Sequence, residues 1–430
     1  MRDHAVLKMR TTLSDDAGIP SWLDFIADKS RIRETVNPDV DRLLHELGLK
    51  VWVTREYKPA QADWSADERR EGLDRTYRLI FQQDSELPED LVDRLVAIPS
   101  VEIASRLSVG SAHIPAVSSQ TSFTAPDVAD LIYLRYAQAF TKGSPDIRIA
   151  VLDTGANLNH RELQGKIGKA ADFVDLEGLN TSDFIGDFTG FDDVPEDEVG
   201  HGTHVSGIIA GRGLEMNEGV APGCKLMAVR VLATMKSGTR FVGAGIIDNI
   251  NTGIKWAADN GADVINMSLG IKHTGGGLPH EDVIRYALSK NVTVVAASGN
   301  DGTAERYYPG ALPGVIAVGA VDQTGTVAPF TSYGANIAVV APGVNIYSSF
   351  AHNTYAFASG TSQASPFVCG MVGLMKSYAR QMGRALSNGD IRTILRDTSD
   401  KVDTRLRSEH AGYGLINMAD AFKLLAHELA

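Results

Sequence analysis

Three short stretches of this chain carry the side chains of nucleophilic catalysis. "IAVLDTG" ends an apolar run on Asp153, "GHGTHVSG" sets His201 at the head of a helix-like segment, and "GTSQASP" sets Ser362 at the head of another. A serine hydroxyl is a poor nucleophile at neutral pH and needs a base within hydrogen-bond reach. An imidazole supplies that base, and a carboxylate fixes its tautomer and stabilises the imidazolium. Glycines beside each residue let backbones approach closely. Taken singly, Asp153 also reads as a turn residue, His201 as a core histidine and Ser362 as a helix N-cap. The three together point to catalysis.

The elements that would position them are legible in the hydrophobic pattern. From about residue 124 onward, apolar runs alternate with helical stretches: "IRIAVLD", "KLMAVRVL", "GADVINMSL", "NVTVVAAS" and "GVIAVGAV". Near-continuous apolar strands of this kind imply a parallel sheet covered on both faces. Sites in such sheets lie at the carboxyl ends of the strands.

The first part of the chain reads differently. Val40, Leu43, Leu44 and Leu47 share one helix face, and Gly48 supplies a stop before the strand "LKVWV". A polar loop from Lys58 to Arg75 leads to the strand "TYRLIF". A helix follows with Pro88 at its start and Leu87, Leu91 and Leu95 on one face, then a strand in "SVEIASRL". This small α+β unit closes in "SVGSAHIPAVSSQTS", which reads as an exposed linker. The division is residues 1–118 for the first domain and 119–430 for the second.

Composition narrows the function classes. The 430 residues are 43% hydrophobic and 22% charged, which suits a soluble globular chain with room for two domains. With 41 basic against 53 acidic residues, the net charge of −12 argues against nucleic acid or an anionic membrane as the partner. Cys224 and Cys369 show no CxxC spacing, so they read as small buried hydrophobes, not a disulfide or zinc framework. The N-terminus lacks a signal peptide's apolar core and no membrane-spanning apolar run occurs, which reads as cytoplasmic, or secreted if a leader precedes this sequence. Residues 172–198 hold ten Asp or Glu and no Lys or Arg. That run is suited to binding calcium, to attracting basic peptides, or to a plain solvated insertion.

A further set of motifs falls in order along residues 124–425: "DTG" with "NHREL", "HGTHVSG", "GVAPGCKLMAVRVL", "VINMSLG", "VVAASGND", "YPGALPGVIAVGAVD", "SYGANIAVVAPG", "SGTSQASP" and "GYGLINMADA". Together they resemble the subtilisin-like serine proteases, the subtilases or peptidase family S8. The resemblance implies a three-layer α/β/α fold with a mostly parallel central sheet, preceded here by the small α+β domain. It implies a serine endopeptidase working through an acyl-enzyme, with Asp153 as orienting carboxylate, His201 as general base and then acid, and Ser362 as nucleophile. Asn300 and the Ser362 N–H would be the oxyanion donors. A peptide or protein substrate would lie as an added strand on an exposed edge formed by Ser268, Leu269 and Gly270, beside Ser298 and Gly299. The primary side-chain pocket would be narrowed by Tyr307 or edged by Asp301, favouring small or basic residues. No cofactor is needed for the chemistry.

The chain departs from the family at three places. Gln363, Ser365, Pro366 and Phe367 replace the usual text after the nucleophile. Glu162 stands where many secreted relatives carry a calcium-binding aspartate, and the loop "GRGLEMNEG" is recast, leaving Glu215, Asn217 and Glu218 as candidate oxygen ligands. The acidic run lies just before His201. The N-terminal unit resembles the family's inhibitory propeptides, with self-cleavage expected within residues 108–123; a retained regulatory domain is the competing reading. Rival functions are a peptide-tailoring protease or ligase, and a catalytically silent peptide-binding scaffold.

Overall fold

A computed structural model of the chain describes residues 3–24, 28–83, 87–113, 128–176, 181–238, 240–272 and 277–430. The N-terminal unit runs β1 (His4–Met9), α1 (Pro38–Glu46), β2 (Val51–Arg55), α2 (Ala66–Glu71), β3 (Thr76–Phe81), α3 (Leu91–Val96) and β4 (Val101–Arg106). Its strands form one antiparallel sheet in the order β2-β3-β1-β4. Apart from the extra turn of α2, this is a β-α-β-β-α-β arrangement. Leu7, Val53, Leu79, Leu91 and Leu95 fill its separate core.

Three sequence expectations change here. Strand β1 was not expected. The stretch 58–75, read as a loop, contains α2, because Ser65 and Glu68 form a reciprocal capping box that satisfies the helix's free amides. The helix expected at Pro88 begins at Leu91; the Pro88 carbonyl accepts the Leu91 N–H in the turn before it.

The supposed linker also begins as structure. β5 (Val109–His113) continues the chain and pairs antiparallel with a later strand, Val109 opposite Ile246 and His113 opposite Val242. Residues 114–127, where most of the expected cleavage stretch falls, lie outside the described residues.

The remainder opens with α4 (Val128–Leu131) and α5 (Leu134–Phe140), then β6 (Arg148–Asp153), β7 (Ile167–Asp172), β8 (Phe184–Ile185) and α6 (His201–Ala210). Next come β9 (Lys225–Arg230), β10 (Ala233–Ser237), β11 (Arg240–Ile246), α7 (Ile247–Asp259), β12 (Val264–Met267), β13 (Ile271–Lys272) and α8 (Glu281–Ser289). The chain continues through β14 (Thr293–Ala297), β15 (Tyr307–Tyr308), β16 (Ile316–Val321), β17 (Ile337–Pro342), β18 (Ile346–Phe350) and β19 (Thr354–Ala358). It ends in α9 (Thr361–Gln381), α10 (Asn388–Thr398) and α11 (Met418–Leu429). No helix among the described residues is long and apolar enough to cross a membrane.

Seven strands make the central sheet, in the order β17-β16-β14-β12-β6-β9-β7, and every pairing is parallel. Successive residues of β6 feed opposite faces: Ile149 and Val151 pack in the core with α6 and α9, Ala150 and Leu152 in the core with α7 and α8. The result is the three-layer α/β/α arrangement, with β6 and its terminal Asp153 at the middle of the sheet. Cys224 and Cys369 are buried free thiols.

The N-terminal unit docks on α7 and α8. His4 meets Asp248 at 2.9 Å, Lys8 meets Asp282 at 2.9 Å, Lys255 meets Glu68 at 2.8 Å and Arg285 meets Glu71 at 2.8 Å. Tyr57 enters the α7–α8 core.

Candidate active site

Asp153 ends β6 and is fully buried. Its Oδ1 lies 2.6 Å from His201 Nδ1 and accepts the Thr154 N–H at 2.7 Å. His201 opens α6, whose first turn comes so close to the strand end that a side chain at Gly202 would stand 2.1 Å from the Gly155 carbonyl. Burial opposes charge on His201, but the Asp153 carboxylate, with Asp197 behind it, outweighs burial and holds the imidazole above its usual value.

Sequence reasoning missed Asp197. Its Oδ1 accepts from Thr154 Oγ1 at 2.9 Å and the Gly200 N–H at 2.8 Å, and its Oδ2 accepts from Thr203 N and Oγ1 at 2.8 and 2.6 Å. One buried carboxylate thus fixes the start of α6 to the end of β6. Burial pushes its carboxyl up, against the pull of these donors. The signal lay in the acidic run, four residues before His201. That run is not simply a solvated insertion: Asp172 is buried against Arg230 at 2.7 Å, and Glu198 reaches the same guanidinium at 3.2 Å.

Ser362 is the second residue of α9, where backbone N–H groups have no partner within the helix. Its hydroxyl donates to the Ser268 carbonyl at 3.1 Å. No hydrogen bond joins it to His201, whose Nε2 is buried without a partner. Such contacts are often loose before substrate binds. Pro366, inside α9, removes the amide that would bond the Ser362 carbonyl. Ser268 Oγ fills that role at 2.9 Å, itself held by Asn266 Nδ2 at 2.9 Å and near Ser365 Oγ at 3.0 Å. Gln363 is buried with neither amide atom paired, and Phe367 joins the core.

Asn300 follows β14. Its Oδ1 accepts from Thr361 N at 2.8 Å and Thr361 Oγ1 at 2.9 Å, which commits the oxygen and leaves the amide NH₂ as the group for other partners. A cavity of about 380 Å³ is lined by Ser268, Leu269, Gly270, Gly299, Asn300 and Ser362, among others. Ser298 is buried and is not part of that lining. Val109 and Gly110 of β5 line the same cavity, and a side chain at Gly110 would strike Ile271 at 2.5 Å. Ser268 and Leu269 are buried, where the sequence suggested an exposed edge.

The residues at Glu162 do not fit a calcium ion. Glu162 is fully buried and its two oxygens accept the N–H groups of Gly213, Leu214 and Glu215 at 2.8–3.1 Å and the Tyr355 hydroxyl at 3.0 Å. The loop thus turns amide donors, not carbonyls, toward this carboxylate. Glu215 pairs with Arg161, and Glu218 with Lys142 at 2.7 Å.

The subtilase family model matches residues 144–414, more than half of the chain and all three residues above. This chain is a subtilase. It is 41% identical over 295 residues to the thermophilic serine proteinase of Bacillus sp. (strain AK1), covering 67% of this chain and 65% of that protein. It is 39% identical over 259 residues to thermitase of Thermoactinomyces vulgaris, covering 59% of this chain and 81% of thermitase. With subtilisin Savinase of Lederbergia lenta it shares 38% over 273 residues, 63% of this chain and 88% of Savinase. The chain spans just under two thirds of the length of the first of these relatives.

Proposed function

We propose that this subtilase is a serine endopeptidase that hydrolyses extended polypeptide segments through an acyl-enzyme, restrained by its own N-terminal unit. The observation that carries the reading is the buried Asp153–His201 pair at 2.6 Å, at the carboxyl end of the central sheet and in the family's order with Ser362. His201, raised by Asp153, takes the Ser362 proton as the hydroxyl attacks, then returns it to the leaving amine. The Ser362 N–H at the head of α9 and the Asn300 amide receive the oxyanion, with Thr361 holding Asn300 by its oxygen. The names of the relatives, which include a serine proteinase, support this chemistry.

The division into residues 1–118 and 119–430 belongs to the same proposal. The first unit has its own core, and β5 carries its chain into the cavity that Ser362 lines. An extended strand there occupies the place of substrate, so the unit acts as an intramolecular inhibitor, and a cut beyond His113 frees its tail. The filled triad speaks against a silent scaffold.

The test is exposure of the purified protein to a serine-directed fluorophosphonate, read by intact mass, with Ser362→Ala beside it. One adduct on parent molecules that have lost the N-terminal unit, and none on the variant, is expected. Equal labelling of both, or equal turnover, refutes the assignment.

A further inference from the structure

We propose that Tyr307 restricts the residue just upstream of the scissile bond to a small side chain: glycine, alanine or serine. This deepens the endopeptidase reading and rests on it.

A carbonyl attacked by Ser362 must lie where Ser362 meets the Ser268–Gly270 and Gly299–Asn300 segments, which share one cavity wall with it. The side chain of the residue bearing that carbonyl then points between the two segments. The Tyr307 ring already stands there. A Cβ added at Gly299 would lie 2.4 Å from Tyr307 Cδ2 and 2.7 Å from Cε2. One added at Gly270 would lie 3.0 Å from Tyr307 Cβ and 3.3 Å from Cδ1. Both walls are glycine where they touch the ring, so the ring spans the gap and fills the space a large side chain needs.

The ring is held in three ways. Tyr307 pairs with Lys272 in the β13–β15 ladder. Its hydroxyl donates to Asp301. Lys272 Nζ lies 5.5 Å from the ring centroid. The same ammonium meets Asp301 at 3.1 Å and Glu305 at 2.5 Å, so the acids at the rim are already paired with a cation. That decides between the two preferences left open by the sequence. A basic side chain gains little there, whereas a bulky one must displace a tethered ring.

The test uses the purified protein after it has lost its N-terminal unit, and fluorogenic peptides that differ only in the residue before the cleaved bond: Gly, Ala, Ser, Leu, Phe or Arg. The parent should cleave the Ala peptide with kcat/KM about 10² above the Phe peptide, the scale at which pockets discriminate by size. Tyr307→Gly should reverse that order while still taking the fluorophosphonate on Ser362. Tyr307→Phe keeps the ring and should keep the preference for small residues, which guards against a glycine variant that fails to fold. Equal cleavage of Ala, Phe and Arg peptides by a fluorophosphonate-reactive parent overturns this inference alone. A parent that has lost its N-terminal unit and is still neither labelled nor active on any peptide overturns the endopeptidase reading, and this one with it.

Discussion

Replacing Glu162 by glutamine exchanges one carboxylate oxygen for an NH₂ group in a pocket that offers almost only donors. Gly213, Leu214 and Glu215 point their amides at Glu162, and Tyr355 adds its hydroxyl. Burial, followed by the Glu162 charge, pushes the Tyr355 phenol up, in keeping with a phenol that donates. If the retained oxygen keeps Leu214, Glu215 and Tyr355, the Gly213 N–H loses its acceptor and the new NH₂ faces it. Gly213 is exposed and its N–H can turn to water, so the cost is that of one buried NH₂ without an acceptor, about 1–3 kcal/mol. At roughly 2 °C per kcal/mol for a chain of this size, the melting midpoint should fall by about 2–6 °C. Scanning calorimetry of parent and Glu162→Gln, each with chelator and with added calcium, measures it. A variant melting within about 1 °C of the parent refutes the reasoning. So does calcium that stabilises the parent but not the variant, because a metal would then sit on this carboxylate.

Further outcomes are expected. Because His201 must be neutral to serve as the proposed base and is held above its usual value, kcat/KM should fall as pH drops through a midpoint above about 6.5. Asp153→Asn should move that midpoint down and cost about 10⁴ in kcat, read from a pH–rate profile. Asn300→Ala should lower kcat by about 10² to 10³ with KM little changed in steady-state kinetics. Burial, with His201 nearby, drops His204 to about 4, and burial drops His280 likewise despite Asp248. Both stay neutral in the fold, so the stability they confer is complete above about pH 6.5 and is lost as pH falls toward 4; urea midpoints across that range should decline. Lys255→Met takes the cation from the buried Glu68 carboxylate, leaving it the Ala60 and Ser65 amides, and should weaken docking of the two units by about 10²-fold, measured as faster appearance of peptidase activity in the full chain.

Much of this was legible in the sequence because it rests on local pattern. The apolar runs ending at Asp153 and Met267 are strands buried on both faces, and the glycines around His201 and Ser362 mark the close approaches that a buried site requires. Helix α2 was not legible, since its charged residues show no apolar stripe; a capping box and the ion pairs of Glu68 and Glu71 across to Lys255 and Arg285 hold it. Strand β7 is half exposed and reads as neither strand nor helix. Asp197 looked like one acid among ten, because only the fold brings Thr154 and Thr203 to it. The orientation of the 211–219 loop around Glu162 was hidden for a related reason: sequence names the oxygen atoms nearby but not whether amides or carbonyls face them.

Under the proposed restraint by the N-terminal unit, strand β5 has a kinetic consequence. While residues 109–113 remain joined to Ser362's own chain, their local concentration at the cleft is set by a short tether, on the order of millimolar, and dilution does not change it. A cut in the following segment makes the same contacts bimolecular. From then on, the active fraction depends on how much enzyme is present. Concentrated preparations should stay silent and wake on dilution, with a lag that shortens as destruction of the freed unit by molecules already active removes the inhibitor for good.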